Sequence, residues 1–397
     1  MPRSIPIPEN NNINSKKKGL FVSPFFYKKL YVNRQETCPL VLSLLYYVYV
    51  EFYRYETEKE AHNMYTVDVI IPTYKPKKDL LKILDLLDKQ TIVPNRIILM
   101  NTEEAYFDQL IYGAEFFKYH ENCRVYHLSK LEFDHGATRN KGVYHSNADY
   151  FIMMTQDATP KDEHLIEHLL EPLIAGRAAV SYARQLPRED CNPIERYTRG
   201  FNYPEHSFIK HESDVQTLGI KTYFCSDVCA AYDRTVFDKM NGFVKRAIFN
   251  EDMLYAAKIA KAGYGIAYCA DACVYHSHNY TARQQFHRNF DLGVSQADHP
   301  EVFEKIKSEG EGIRMVKSTA SYLWNNHYKR WIPSLIIQSG AKFLGYRLGK
   351  NYKKLSEAQI FRLTSSPDYW KRKALKRGIQ NVDAHRGYGR NPEKEGD

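Results

Sequence analysis

"IMMTQDATP", residues 152–160, carries an apolar run as far as one carboxylate, Asp157, and then turns away at Pro160. Hydrophobic residues that stop at a polar turn describe a buried strand delivering a side chain to the carboxyl edge of a sheet. In open α/β sheets ligands bind along that edge. The stretch therefore sets the fold class and singles out Asp157 as a ligand-facing acid.

The flanking text keeps a strand–helix–strand rhythm. "VDVII" (67–71) is a buried strand stopped by Pro72, and "KKDLLKILDLLDKQ" (77–90) has leucines at helical spacing. "RIILM" (96–100) and "RVYHL" (124–128) are further strands. "GATRNKGVYHS" (136–146) reads as a helix opened by Gly136, followed by the strand "YFIMM" (150–154). "DEHLIEHLLEPLI" (162–174) is an amphipathic helix and "AAVSYA" (178–183) another strand. This alternation predicts an α/β domain with a mostly parallel sheet and helices on both faces.

Outside that rhythm the chain changes character. Residues 1–63 read as an N-terminal extension, partly disordered through "PENNNINSKKKG". The apolar "PLVLSLLYYVYV" (39–50) is about half of the ~20 residues that span a bilayer. Met64 stands directly before the regular text and is an expected start of translation. Residues 64–300 read as the catalytic domain, 301–380 as a helical basic region and 381–397 as a polar tail. Of a net charge of +9, residues 313–378 hold +13, fifteen Lys and Arg against two acids. Such a block suits anionic lipid headgroups, nucleic acid or a solvated face. Cys225/Cys229 and Cys269/Cys273 repeat a spacing that a four-sulfur zinc site could use. Both pairs lie in apolar text, which reads as reduced core thiols in a cytosolic protein.

Four polar groups fall at strand ends or helix starts: Thr73-Tyr74, the "DHGATRNKG" stretch with Arg139 and Asn140, Asp157, and "NED" (250–252) with the later "HSH" (276–278). Singly each has a structural explanation, since acids in a first helical turn favour the macrodipole and Asn250 is a good cap. Their order is more specific. "VDVIIPTY…RIILMN…HGATRNKG…YFIMMTQDA…NEDMLYAAKIAKAGYGIAY…VYHSHNYT" resembles the inverting nucleotide-sugar transferases of glycosyltransferase family 2, with the GT-A (Rossmann-like) fold. "MNTEE", "FDHGATRNKG", "CSDVCAAY" and "HSHNY" resemble its bacterial rhamnosyltransferase branch.

That resemblance implies roles. Pro72, Thr73 and Tyr74 hold the nucleoside, with Asn101 in place of the usual acid after the second strand. Arg139 and Asn140 match a pair beside the diphosphate. "TQDA" takes the place of an Asp-x-Asp motif, with Thr155 where the first acid stands, Gln156 on the donor side and Asp157 as ligand of Mg²⁺ or Mn²⁺. His276, 24 residues after Asp252, is the second metal ligand, and His278 a reserve ligand or phosphate contact. Asp252 is the catalytic base, kept ionised by its helix N-terminus. Glu251 and Asp227 lie on the acceptor side, and Arg288 of "QQFHRNF" meets phosphate.

The implied activity moves L-rhamnose from dTDP-β-L-rhamnose to a growing surface polysaccharide or lipid-linked glycan, in the cytoplasm, with peripheral contact to the plasma membrane. The same motifs suit a UDP-linked donor. A catalytically weak scaffold or a nucleic-acid binder using the basic block are the competing classes, and the acid constellation favours neither.

Overall fold

The computed structural model describes residues 65–110, 116, 119–304 and 309–375. The expectations for residues 1–63, for a start at Met64 and for the 381–397 tail lie outside these. Among the described residues nine strands form one sheet: β1 (Val67–Tyr74), β2 (Arg96–Thr102), β3 (Cys123–Leu128), β4 (Tyr150–Met154), β5 (Thr159–Pro160), β6 (Val180–Leu186), β7 (Phe208–Lys210), β8 (Cys229–Asp233) and β9 (Ile266–Tyr275). Their order is β3-β2-β1-β4-β8-β6-β9-β5, with β7 also paired to β9.

The expected parallel run is β3-β2-β1-β4. Beyond it the sheet is mixed: β8 runs antiparallel to β4 and β6, β6 and β9 are parallel, and β5 and β7 are antiparallel to β9. A strand buried on both faces is apolar in either direction, so the sequence pattern does not disclose which way it runs.

Helices α1 (Lys78–Leu87), α2 (His135–Tyr144), α3 (Leu165–Ile174), α4 (Pro193–Asn202) and α5 (Glu251–Lys261) flank these strands. The continuous apolar runs divide with a period of two. Val69, Ile71, Ile97, Leu99, Ile152 and Met154 join the buried leucines of α1 and α3 in one core layer. Ile70, Ile98, Met100, Phe151 and Met153 face the other, with Val143 of α2 and Tyr255 of α5. The cysteines follow this division: Cys229 and Cys269 sit in the first layer and Cys225 in the second. The sheet thus separates the pair that a zinc ion would have to gather, and burial pushes the Cys123 and Cys269 thiols up to about 12.

The C-terminal region is helical, as expected: α6 (Ala282–Asp298), α7 (Glu309–Asn325), α8 (Ile332–Lys350) and α9 (Glu357–Leu363). Glycines let α8 press against α6. A Cβ on Gly345 would meet the Phe286 carbonyl oxygen at 2.2 Å, and one on Gly349 the Phe290 oxygen at 2.1 Å. Tyr352, Ile360 and Trp370 then close over Ile248, Phe290 and Val294 in a separate cluster. Gly349→Val should therefore cost about 1–3 kcal/mol by overpacking. Urea unfolding measures this, and an unchanged midpoint would show that the α6–α8 contact has room to relax.

Candidate active site

Asp157 stands three residues beyond the end of β4, and the register of β5 on β9 decides what it meets. Thr159 pairs with Tyr275 and Pro160 with Val274. Continuing that antiparallel count brings residues 157 and 158 alongside 276 to 278. Asp157 Oδ1 lies 3.6 Å from His276 Nε2, and Oδ2 3.3 Å from His278 Nε2. The two Nε2 atoms are 3.1 Å apart. Pro160 fits because β5 ends the strand order, where a missing backbone donor is tolerated.

The ring of His276 is oriented from behind. Gln185 Oε1 accepts a hydrogen bond from His276 Nδ1 at 2.9 Å and another from the guanidinium of Arg199 on α4. Arginine only donates, so the amide oxygen faces both groups and Nδ1 must carry the hydrogen. The Nε2 lone pair of His276 is then turned toward Asp157, the second-sphere arrangement of a metal-bound histidine. Burial lowers His278 to about 4, so its imidazole is neutral near pH 7. Burial opposes the charge on Asp157, yet the neighbouring His276 and His278 side chains hold it well below the usual carboxylate range. Two donors at ~2.1 Å from one ion and at right angles are ~3.0 Å apart, which the two imidazoles match. The donor set fits a divalent cation, and among the described residues it is the cluster able to hold one. His278, expected in reserve, joins the pair.

A second polar cluster lies where α2 and α5 begin. Arg139 Nε is 2.8 Å from Asp227 Oδ2, and its Nη1 is 3.0 Å from Glu251 Oε1. Arg139 is buried with both acids. It is therefore committed to them rather than presented to a diphosphate, because a buried guanidinium requires paired charge. Asn140 is corrected likewise: its amide donates to the Phe243 carbonyl at 2.9 Å and accepts from the Phe243 N–H at 3.0 Å. The Tyr232 hydroxyl donates to Asp227, so that acid is a buried brace and not an open sugar contact.

Asp252 follows at the half-buried start of α5. Its Oδ1 accepts from Met253 N at 2.7 Å and its Oδ2 from Asp227 N at 3.2 Å. Three carboxylates here face one guanidinium. Burial, then the charges of Glu251 and Asp227, raise Asp252 well above the ordinary range. The helix terminus expected to favour its charge is thus opposed by burial and by two like charges. Asn250 also departs from its expected role: it adopts φ 66° and makes no side-chain cap.

The two clusters adjoin. Asp227 N reaches Asp252, and the neighbouring Ser226 Oγ accepts from Gln185 Nε2 at 3.0 Å, the side chain that orients His276. Thr155 N meanwhile bonds to Val228 O at 3.0 Å. Residues 157, 252 and 276 thus share one sheet edge.

Of the expected nucleoside loop, Tyr74 reaches open space. It lines a cleft of about 380 Å³ with Thr102 and His135. Pro72 lies within β1, and buried Thr73 donates to Asn101 Oδ1 at 3.1 Å. Asn101 is fully buried and also donates to Glu103 O at 3.1 Å. It supports the loop and does not face a ligand. Gln156 clasps Tyr74 in both directions, accepting from its N–H at 3.0 Å and donating to its C=O at 2.9 Å. Arg288 stacks 4.8 Å from the Tyr280 ring and 5.3 Å from that of Phe249. It lies near enough to His278 to lower its basicity, and among the described residues no carboxylate pairs with it.

Sequence reasoning missed Gln185, Arg199, Thr102 and His135. Nothing in their local text marks them, since each gains its role from sheet register or from a helix packed across it.

The model of Glycosyl transferase family 2 matches residues 68–240. The chain is 39% identical over 310 residues, 77% of its length and 96% of the relative's, to the O-antigen chain rhamnosyltransferase RfbN of Salmonella typhimurium. It is also 39% identical over 284 residues (71% of this chain, 88% of the relative) to the O-antigen chain rhamnosyltransferase WbaN of Salmonella anatum. Among solved structures, the mannosyltransferase PcManGT from Pyrobaculum calidifontis in complex with GDP-Man and Mn²⁺ aligns with TM-score 0.45 at 14% identity, covering 79% of this chain and 86% of that one. TarS residues 1–349 of S. aureus align with TM-score 0.40 at 14% identity, covering 73% and 91%. The family match and the extent of the two sequence relationships establish that the chain belongs to glycosyltransferase family 2.

Proposed function

We propose that this glycosyltransferase moves L-rhamnose from dTDP-β-L-rhamnose to a growing cell-surface polysaccharide, inverting the anomeric centre. The carrying observation is 39% identity along 96% of a relative named as an O-antigen chain rhamnosyltransferase. The site chemistry supports it. Asp252 accepts the proton of the acceptor hydroxyl, its two oxygens held by the N–H groups of Met253 and Asp227. A carboxylate raised toward neutrality is better matched to that transfer than an ordinary one. Asp157, His276 and His278 would hold a divalent ion, which would supply positive charge against the departing diphosphate. Two imidazoles and one carboxylate favour Mn²⁺ over Mg²⁺. Arg288, without a carboxylate partner among the described residues, lies close enough to meet a phosphate. A UDP-linked sugar remains the second reading of the donor.

The setting is the cytoplasmic face of the membrane. No helix among the described residues is long and apolar enough to cross a bilayer. Helix α8 instead carries an outward apolar row: Ile336, Ile337, Phe343 and Leu344 are 57–64% exposed. Its opposite face, with Leu335, Gly345 and Gly349, is buried. An apolar stripe normally faces a core. Here it points away, in a segment of net charge +13, the combination that seats a helix in an anionic lipid surface.

Three outcomes test this reading. Asp252→Asn should lower rhamnosyl transfer at least about a hundredfold with donor affinity within a few-fold, whereas Asp157→Ala should weaken Mn²⁺-dependent donor binding itself; radiolabelled transfer and calorimetry separate the two. The acid limb of kcat/KM should lie above the ordinary carboxylate range, because activity is lost as Asp252 gains its proton. Glu251→Gln removes one repelling charge and should move that limb to lower pH, and a stationary limb would exclude Asp252 as the titrating base. Phosphatidylglycerol vesicles should sediment the full chain and phosphatidylcholine vesicles should not. Phe343→Glu should abolish that binding, and retained binding would exclude the outward row as the contact.

A further inference from the structure

The cleft beside Tyr74 has a wall from an unexpected part of the chain. Tyr74, Thr102 and His135 line it from the sheet edge, and Ser366, Asp368 and Tyr369 line it from the far C-terminal segment. That segment lies more than a hundred residues beyond the 68–240 family match. We propose that residues 364–372 form the outer wall of the donor's nucleoside pocket and help to select a thymine base. This rests on the donor reading above and deepens it.

Four observations carry the inference. First, the wall is built and fixed. Asp291, fully buried on α6, accepts from Thr364 Oγ1 at 2.6 Å, from Ser365 N at 3.0 Å and from the Ser365 hydroxyl. Downstream, the Arg372 guanidinium donates to the Phe133 carbonyl and lies 3.6 Å from Asp134 Oδ2. Trp370 is buried between them in the α6 cluster. A segment tied at both ends and in its middle is preorganised, so ordering it on ligand binding costs little.

Second, Thr102 is 2% exposed, and its hydroxyl oxygen is buried without a hydrogen-bond partner. An unpaired buried hydroxyl is costly, and here it belongs to a residue lining the cleft. A ligand that carries both donors and acceptors would satisfy it. Third, about 380 Å³ falls within the size of small-molecule clefts, in which a few polar groups orient a mostly apolar ligand. Fourth, the position is right for a nucleoside. Tyr74 is clasped to Gln156, the residue beside Asp157, so the cleft begins next to the expected diphosphate site.

The chemistry of the walls favours a pyrimidine with a methyl group. The imide edge of thymine offers one N–H donor between two carbonyl acceptors. Asp368, 3.9 Å from Lys130 Nζ across the cleft, supplies acceptor and cation together. Phe133, Ala247 and Ile248 give an apolar strip for the 5-methyl group that uracil lacks.

The test is calorimetric binding of dTDP, UDP and GDP to the full chain with Mn²⁺. Wild type should bind dTDP several-fold tighter than UDP, and GDP weakest. Thr102→Val and Asp368→Ala should each weaken dTDP at least fivefold. Asp368→Ala should also narrow the dTDP/GDP ratio, because the imide edge it meets is common to thymine and uracil and absent from guanine, while transfer retains its wild-type KM for acceptor. Tyr369→Ala, at the next position along the wall, serves as the second wall variant. Wild-type affinity and ratio in both Asp368→Ala and Tyr369→Ala overturn the C-terminal wall while leaving the donor reading intact. A wild-type chain that binds no nucleoside diphosphate overturns the donor reading and this inference with it.

Discussion

Two residues of backbone pairing hold the metal-ligand side of this site together. Thr159 and Pro160 add a short strand to the end of β9, and only that register sets Asp157 against His276 and His278. A slip of one residue would turn alternate side chains to the opposite face. The pairing is braced from both sides: β6 runs beside β9 as far as Leu186 and Tyr275, and Gln185 of that strand orients the imidazole. Polar geometry here is inherited from apolar strands, because the buried runs of β4, β6 and β9 fix where each chain leaves the sheet.

The acid cluster obeys a different constraint. Arg139 offers one positive charge to Asp227 and Glu251, with Asp252 close by. Excess negative charge in a buried place is relieved by protonation. Glu251, which faces both Arg139 and His135, remains on the low side of its usual range, while Asp252 moves up. The division agrees with the proposed roles: Asp227 and Glu251 pair with the guanidinium, and Asp252, which does not, is the proposed base.

Much of the fold could be read from the sequence. The apolar runs, the turn after Asp157 and the helical leucines of α1 and α3 each follow from periodicity. Strand direction beyond β4 could not, since β8 and β6 are apolar whichever way they run. At the site, Asp157, Asp252 and His276 were legible because motif order preserves what chain topology must bring together. Arg139, Asn140 and Asn101 were misread for one reason. Sequence shows a polar side chain near a strand end, but not whether a partner 26 to 112 residues away has already taken its hydrogen bonds. The 364–372 segment was invisible for the complementary reason, since its position depends on α6 and α8 folding the chain end back over the sheet.

The reciprocal bonds between Gln156 and the Tyr74 backbone link two loops that leave adjacent strands. One carries the ligand for the cation; the other borders the cleft assigned to the base. The paired bonds couple the two loops, so on the proposed donor placement the two ends of a bound nucleotide would be gripped by a single mechanical unit. Departure of the spent nucleotide would then be a concerted release, in which loosening at the pyrophosphate end also frees the ring at the far end.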